Sequence, residues 1–293
     1  MDLRGKGGTT TKPPAPTYLP GGVIGTFFGA YNIGTVKVTG GFGILNSYFM
    51  LSPSGVVDRI QAEGYGLRDC MVDAGLRINN LVAVGDGSLI PVTKFSTSVR
   101  PSEVAGNDPN APVPANRTTD LYKFLNIATK TPSVSGKTNS GVISGLEANA
   151  LRDLGLLQGW RFEGGTPLTG AAGMLATTVF STLNFANSIK TIKIAQDISN
   201  VQIVTGAMTT FSVGRDVLGL DATVAGAIKA LSVGRDFNSK SKIHAIGPDG
   251  SVGSIVIGRN FAGTIDAEHK IGKITVKGKF TGKIRENGKL RTK

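Results

Sequence analysis

Between residues 189 and 285 one short line is written five times, and nothing else in the chain restricts its fold as much. The copies are Ile189 to Ile194, Met208 to Val213, Ile228 to Val233, Val252 to Ile257 and Ile271 to Val276, each alternating apolar with polar residues. Aligned on the second apolar residue (Ile192, Phe211, Leu231, Ile255, Ile274), they recur at spacings of 19, 20, 24 and 19. A drifting period of this size is the mark of a solenoid. After each line come Gly or polar residues and then one apolar residue, as in Gly214-Arg215-Asp216-Val217, Gly234-Arg235-Asp236-Phe237 and Gly258-Arg259-Asn260-Phe261. Gly, Asp and Asn suit a corner, because they accept unusual backbone angles or bond to the backbone locally. A second alternation follows: Val201-Gln202-Ile203, Leu220-Asp221-Ala222, Ile243-His244-Ala245, Ile265-Asp266-Ala267 and Ile284-Arg285-Glu286. The predicted unit is strand, corner, strand, turn.

Two-residue periodicity puts Ile192 and Ile194 on one side of their strand and Lys193 on the other. Two strands cannot bury an apolar side alone, so coils must stack as parallel strands about 4.8 Å apart around a continuous core. Crossovers between parallel strands are right-handed. The expected fold is therefore all-β: a single-stranded, right-handed parallel β-helix with coils of 19 to 24 residues and one long inserted loop.

The repeated line resembles that of right-handed parallel β-helix proteins, and especially the repetitive surface solenoids of bacteria, whose coils carry I-x-x-I-x-V-G-[GR]-[DN]-F-x-G-x-I. The likeness covers residues 189 to 285 well and the rest loosely. It implies a fold and an extracellular or cell-surface setting rather than an activity.

Residues 1–22, rich in Pro, Gly and Thr, are expected to form a flexible tail. Coils are expected over 23–95, where Val36, Ile60 and Leu81 stand 24 and 21 residues apart. Residues 96–140, with Pro101, Pro109, Pro112, Pro114 and Pro132, read as the inserted loop, coils resume over 141–288, and 289–293 is a basic tail. Inside the insertion Asp120 could cap a short helix reaching Ala128, and Asn116-Arg117-Thr118 matches a glycosylation acceptor. Beyond it, Gly141 to Ala148 echoes Gly55 to Ala62, and both run on to Leu-Arg-Asp at 151–153 and 67–69. That echo favours strand over the helix that propensity alone allows at 146–158. Residues 160–186 read as one or two looser coils.

A single cysteine, Cys70, excludes a disulfide framework and reads as a buried thiol. No apolar run reaches 18 residues, so no transmembrane helix is expected. The opening Met1-Asp2-Leu3-Arg4-Gly5-Lys6 does not resemble a signal peptide, and an exported solenoid starting here would be a fragment or a processed piece. With only His244 and His269, neither in a zinc-ligand spacing, no metal and no cofactor are expected.

Three constellations remain. Stacking the second strands would align Gln202, Asp221, His244, Asp266 and Arg285 in one outward column, which is either a stabilising charge ladder or, in a polysaccharide lyase or hydrolase, an acid–base set of Asp221, His244, Asp266 and Arg285. Arg215, Arg235 and Arg259, with Asp216, Asp236 and Asn260, form a corner column that either bonds the turn backbone or grips anionic groups. Residues 270–293 carry nine Lys or Arg against Glu286, a net +8 of the chain's +12. Lys270, Lys273, Lys277, Lys279, Lys283, Arg285, Lys289 and Arg291 are candidates for binding an acidic polysaccharide or another polyanion, nucleic acid included, or else they protect a strand edge from aggregation. The function expected is a non-enzymatic structural or adhesive surface module. A polysaccharide-active enzyme or its inactive relative, and a phage or secretion-fibre component, are the alternatives.

Overall fold

The computed structural model describes residues 2–4, 22–24, 26–39, 43–45, 47–64, 66–86, 141–164 and 180–291. In coil order the strands are β1 (Asp2–Arg4), β2 (Gly22–Ile24), β3 (Phe27–Ala30); β4 (Ile33–Thr39), β5 (Gly43–Leu45), β6 (Tyr48–Leu51); β7 (Val56–Ala62), β8 (Leu67–Arg68), β9 (Met71–Asp73); and β10 (Arg77–Ala83), β11 (Val142–Ser144), β12 (Glu147–Ala150). The chain continues through β13 (Asp153–Gly159), β14 (Arg161–Glu163), β15 (Ser181–Ile194), β16 (Ile198–Val213), β17 (Val217–Val224), β18 (Ile228–Val233), β19 (Lys242–Ala245), β20 (Ser251–Ile257), β21 (Thr264–Ala267), β22 (Lys270–Val276), β23 (Lys283–Glu286) and β24 (Lys289–Leu290). Together they make a parallel β-solenoid of about nine turns, roughly 45 Å long at one strand spacing per turn.

Each coil has three faces, one more than the sequence reading allowed. Face 1 carries the repeated line, and its aligned residues stack as expected: Val36 on Ile60, Ile60 on Leu81, Leu81 on Leu157, Leu157 on Ile192, and so through Phe211, Leu231 and Ile255 to Ile274. Face 3 carries the second alternation. Face 2 lies between them and is only one to three residues wide. Its inward column is Ile44, Leu67, Ile143, Phe162, Ile198, Val217, Phe237, Phe261 and Phe280, of which the last five were read from the sequence only as the apolar residue that follows each corner. A strand this short shows no alternation, so only the stacked register reveals it. Phe237 lies 5.4 Å from Phe261 and Phe261 5.3 Å from Phe280, centroid to centroid. The three inward columns meet in one continuous core that includes Cys70.

Several boundaries move. Val23 pairs with Ile44 where the coils were expected to begin, but Leu3 pairs with Val38, so a strand occurs inside the expected tail; a three-residue strand is too short to show periodicity. Over 146–158 the chain is strand rather than helix, as expected, with Glu147–Ala150 and Asp153–Gly159 following Val142–Ser144, but the echo of 55–62 is accidental, because Ile143 stacks on Leu67 and Ala148 on Val72. The echo joined a face 1 strand to residues that round the corner from face 2 to face 3. Residues 161–163 and 181–186 belong to a single coil, and Lys289–Leu290 folds back antiparallel on Arg285–Glu286 rather than trailing as a tail. The candidate helix at 120–128, the acceptor Asn116 and all of 96–140 lie outside the described residues.

Candidate functional sites along the solenoid

The corner between faces 1 and 2 in the C-terminal coils is built by side chains that reach from one coil to the next. The amide N–H of Asp216 donates to Asp197 Oδ1 (3.1 Å), that of Asp236 to Asp216 Oδ1 (3.0 Å), that of Asn260 to Asp236 Oδ1 (3.0 Å), and that of Lys279 to Asn260 Oδ1 (3.0 Å). The arginines sit alongside as counter-ions. Arg215 lies 3.9 Å from both Asp197 and Asp216, Arg235 lies 3.7 Å from Asp216, and Arg259 Nε donates to Asp236 Oδ1 at 2.9 Å. The hydrogen bond from Arg259 is the main reason that the Asp236 carboxyl is pushed down to about 2. Since these carboxylates are already occupied by backbone amides and guanidinium groups, the corner column is a structural ladder, and its arginines have ligands of their own.

On face 3 the expected column divides in two. Asp221 pairs with Lys242, not with His244, which instead pairs with Thr223 below and Asp266 above. The reason is Ser241, which occupies the inward position opposite Leu220 and was invisible to a search for apolar residues. Its hydroxyl donates to Asn238 Oδ1 (2.7 Å), with the Val217 carbonyl oxygen 3.2 Å away, and it accepts from the N–H groups of Gly219 (2.9 Å) and Leu220 (3.2 Å). One column therefore runs Gln202, Asp221, Lys242, Thr264, Lys283, and the other Val204, Thr223, His244, Asp266, Arg285. Asp221 makes a 2.9 Å ion pair with Lys242. Asp266 stands 3.8 Å from His244 Nδ1 and 3.7 Å from Arg285 Nη1, neither of them a hydrogen bond short enough to pass a proton.

Followed toward the N-terminus, the same two columns end in Phe27, Tyr48 and Met71, and in Met50 and Asp73. Phe27 is 64% and Met50 46% exposed, which gives that end of face 3 an apolar surface. The sequence reading missed it because these short strands had not been assigned to the second alternation.

Around the last coil the candidate basic residues do not gather on one face. Lys270 and Lys273 lie on face 1, Lys277 and Lys279 at the following corner, Lys283 and Arg285 on face 3, and Lys289 and Arg291 on or beside β24. All are exposed except Arg285, which is half-buried. Arg285 pairs with Asp266 and Arg291 with Glu286, whereas no ion pair among the described residues engages the lysines of this set.

A trough of about 540 Å³ lies along the corner between faces 3 and 1, floored by Gly206, Ala207, Gly226 and Ala227 and edged by Asn187, Asp249 and His269. Gly206 is required there by stacking, since a Cβ would meet the Asn187 carbonyl oxygen at 2.3 Å. Cys70 is buried, with Sγ 3.1 Å from the Arg68 carbonyl oxygen, and burial pushes its thiol up to about 12, so it stays protonated and unreactive at neutral pH. Among the described residues no group of three or more His, Cys, Asp and Glu could hold a metal ion, and no helix is long and apolar enough to cross a membrane.

Comparison with protein-family models, with curated proteins and with solved structures found no match to this chain. What is established is the parallel β-solenoid and the disposition of its surface columns.

Proposed function

We propose that the protein is a non-enzymatic structural or adhesive module of a surface or secreted assembly, which holds acidic polymers against the basic coil at its C-terminal end. The observation that carries this reading is the ring of exposed lysines on the last coil, set against a corner column whose charges are already mutually satisfied. Side chains spread over three sides of one coil supply a charged collar rather than a shaped pocket, so charge density should matter more than monomer identity. Catalysis is the weaker reading, because Asp221 stands a column away from His244.

The test is retention on immobilised heparin at several salt concentrations. The native chain should elute with a log-linear salt dependence, and the quadruple variant Lys270→Gln, Lys273→Gln, Lys277→Gln, Lys279→Gln should lose roughly three units of that slope. Substitution is a cleaner probe than truncation, because Lys289 and Leu290 pair with β23. Salt-independent retention, or equal slopes for the two chains, would leave edge protection as the role of these lysines.

A further inference from the structure

Every strand of face 1 from β4 to β20 has a neighbour on both edges, but among the described residues nothing pairs with the outer edge of β22. The consequence shows in the core. Ile255 and Phe261 are fully buried, whereas Ile274 and Phe280, one coil further, are only partly covered. Face 3 is finished differently: the Asn287-Gly288 turn, with both residues at positive φ, brings β24 back antiparallel over β23. The hairpin closes one side of the last coil and leaves a free strand edge beside an apolar shelf on the other.

We propose that this edge accepts an extended acidic segment of a partner protein as one more strand. An incoming strand would supply the backbone groups that β22 lacks on its outer side and lay alternate apolar side chains over Ile274 and Phe280. Its outward residues would sit about 5 Å from those of β22, as Ser254 now sits over Lys273 and Val256 over Thr275. At that distance a like charge destabilises pairing and an opposite charge favours it. Lys270, Lys273, Lys277 and Lys279 therefore reject a strand of their own kind, including the same edge of a second copy, and select Glu or Asp. The inference shares these lysines with the polymer reading but adds backbone pairing, which a glycan cannot provide.

The experiment is fluorescence anisotropy with a labelled peptide of roughly ten residues alternating Val and Glu. Two further versions carry N-methyl groups on one or the other alternate set of amides, and an oligoglutamate of equal charge serves as the charge-only control. A strand added at one edge uses only one set of amides. One methylated peptide should thus lose at least roughly tenfold in affinity while the other binds normally, oligoglutamate should bind more weakly than the parent, and exchange of the β22 amides should slow in the complex. Lys270→Glu, Lys273→Glu, Lys277→Glu and Lys279→Glu together should transfer the preference to a Val/Lys peptide. Equal binding of both methylated peptides, or oligoglutamate binding as well as the parent, would reduce the effect to charge and overturn the inference. Absence of peptide binding with salt-dependent heparin retention intact would overturn it while leaving the polymer reading in place. A dimer in sedimentation that the peptide does not compete away would assign the edge to a second copy instead.

Discussion

Two corner aspartates, Asp236 between faces 1 and 2 and Asp69 between faces 2 and 3, are driven in opposite directions, and they belong to halves of the solenoid that differ in how they turn their corners. In the C-terminal half Asp236 bonds the next coil's amide and Arg259, and its carboxyl is held near 2. In the N-terminal half Asp69 takes positive φ (50°) against Gly145, its Oδ1 is buried without a hydrogen bond, and burial pushes it up to about 6 despite Arg68 nearby. The corners between faces 1 and 2 differ as well. Those of the C-terminal half between faces 1 and 2 are joined by a ladder of carboxylates, whereas those of the N-terminal half use glycines at positive φ, such as Gly64, Gly66 and Gly141. A corner bonded from coil to coil must keep its length, while one that relies on local backbone freedom can vary. The long insertion duly leaves the solenoid at a glycine corner, between β10 and β11.

The largest effect that should expose this contrast comes from a methyl group in the bonded corner. A Cβ on Gly234 would meet the Gly214 carbonyl oxygen at 2.0 Å, and the same clash recurs between Gly258 and Gly234. Backbone on both sides leaves no flexible group to yield, so Gly234→Ala should cost about 3–5 kcal/mol, at the upper end for single substitutions. Gly34, with nothing within 4 Å of its Cβ, is the control, and Gly34→Ala should be close to neutral. Urea unfolding of the two variants checks this; equal midpoints would mean that the corner tolerates spreading.

Breaking the ladder itself should cost less. Asp236→Ala strands the Asn260 amide and the Arg259 guanidinium, a loss of about 1–2 kcal/mol for a partly solvated, charge-assisted contact. Because the folded Asp236 carboxyl lies below its ordinary 3.8, its contribution is fully present above that value and fades as pH falls through about 2. Stability of the native chain and of the variant should therefore converge in acid, which thermal unfolding at a series of pH values would show. A gap that persists below pH 2 would point to lost packing instead of lost charge.

At Asp69 the sign reverses. Its folded carboxyl lies above the ordinary value, so the aspartate is harmless below pH 4 and becomes increasingly costly as pH rises through about 6. Asn keeps the shape, tolerates positive φ and cannot ionise. Asp69→Asn should then stabilise the fold above pH 7 by an amount on the order of 2 kcal/mol, discounted from the full shift for partial exposure, with no gain near pH 3. A gain that does not depend on pH would trace to backbone preference alone.

The same contrast explains what could be read from the sequence. Face 1 was legible in register from Val36 to Ile274, apart from the unrecognised rung at Leu157, because seven-residue strands display their alternation. Face 2 was not recognised as a face, since Phe237, Phe261 and Phe280 recur at the repeat spacing but are single-residue bridges with no alternation to mark a strand. The corner column was legible as Gly-Arg-Asp repeats, but the sequence left open whether it bonds the turn backbone or grips anionic groups; the Asp and Asn oxygens accept from backbone amides of the next coil. The acid–base column was misaligned by two residues because the inward position opposite Leu220 is filled by Ser241, a buried hydroxyl satisfied by Asn238 and two backbone amides, where an apolar residue was sought.

The smallest expected effect concerns the insertion. Asp86 is the last described residue before it and Gly141 the first after it, and a Cβ on Gly141 would lie 3.0 Å from Gly85 Cα. The chain thus returns to the point where it left, beside Trp160 of the next coil, and the pairing of Ile78 with Leu154 and of Leu67 with Ile143 continues across the gap. A loop whose ends already meet adds closure entropy that rises only with the logarithm of its length. Replacing residues 87–140 with a Gly/Ser linker of about 20 residues should accordingly change stability by less than about 1 kcal/mol. The measurement is thermal unfolding of the shortened protein beside the native one. A fall of many degrees would mean that residues within 87–140 pack on the N-terminal coils, and the glycine corners would then owe part of their stability to the insertion they admit.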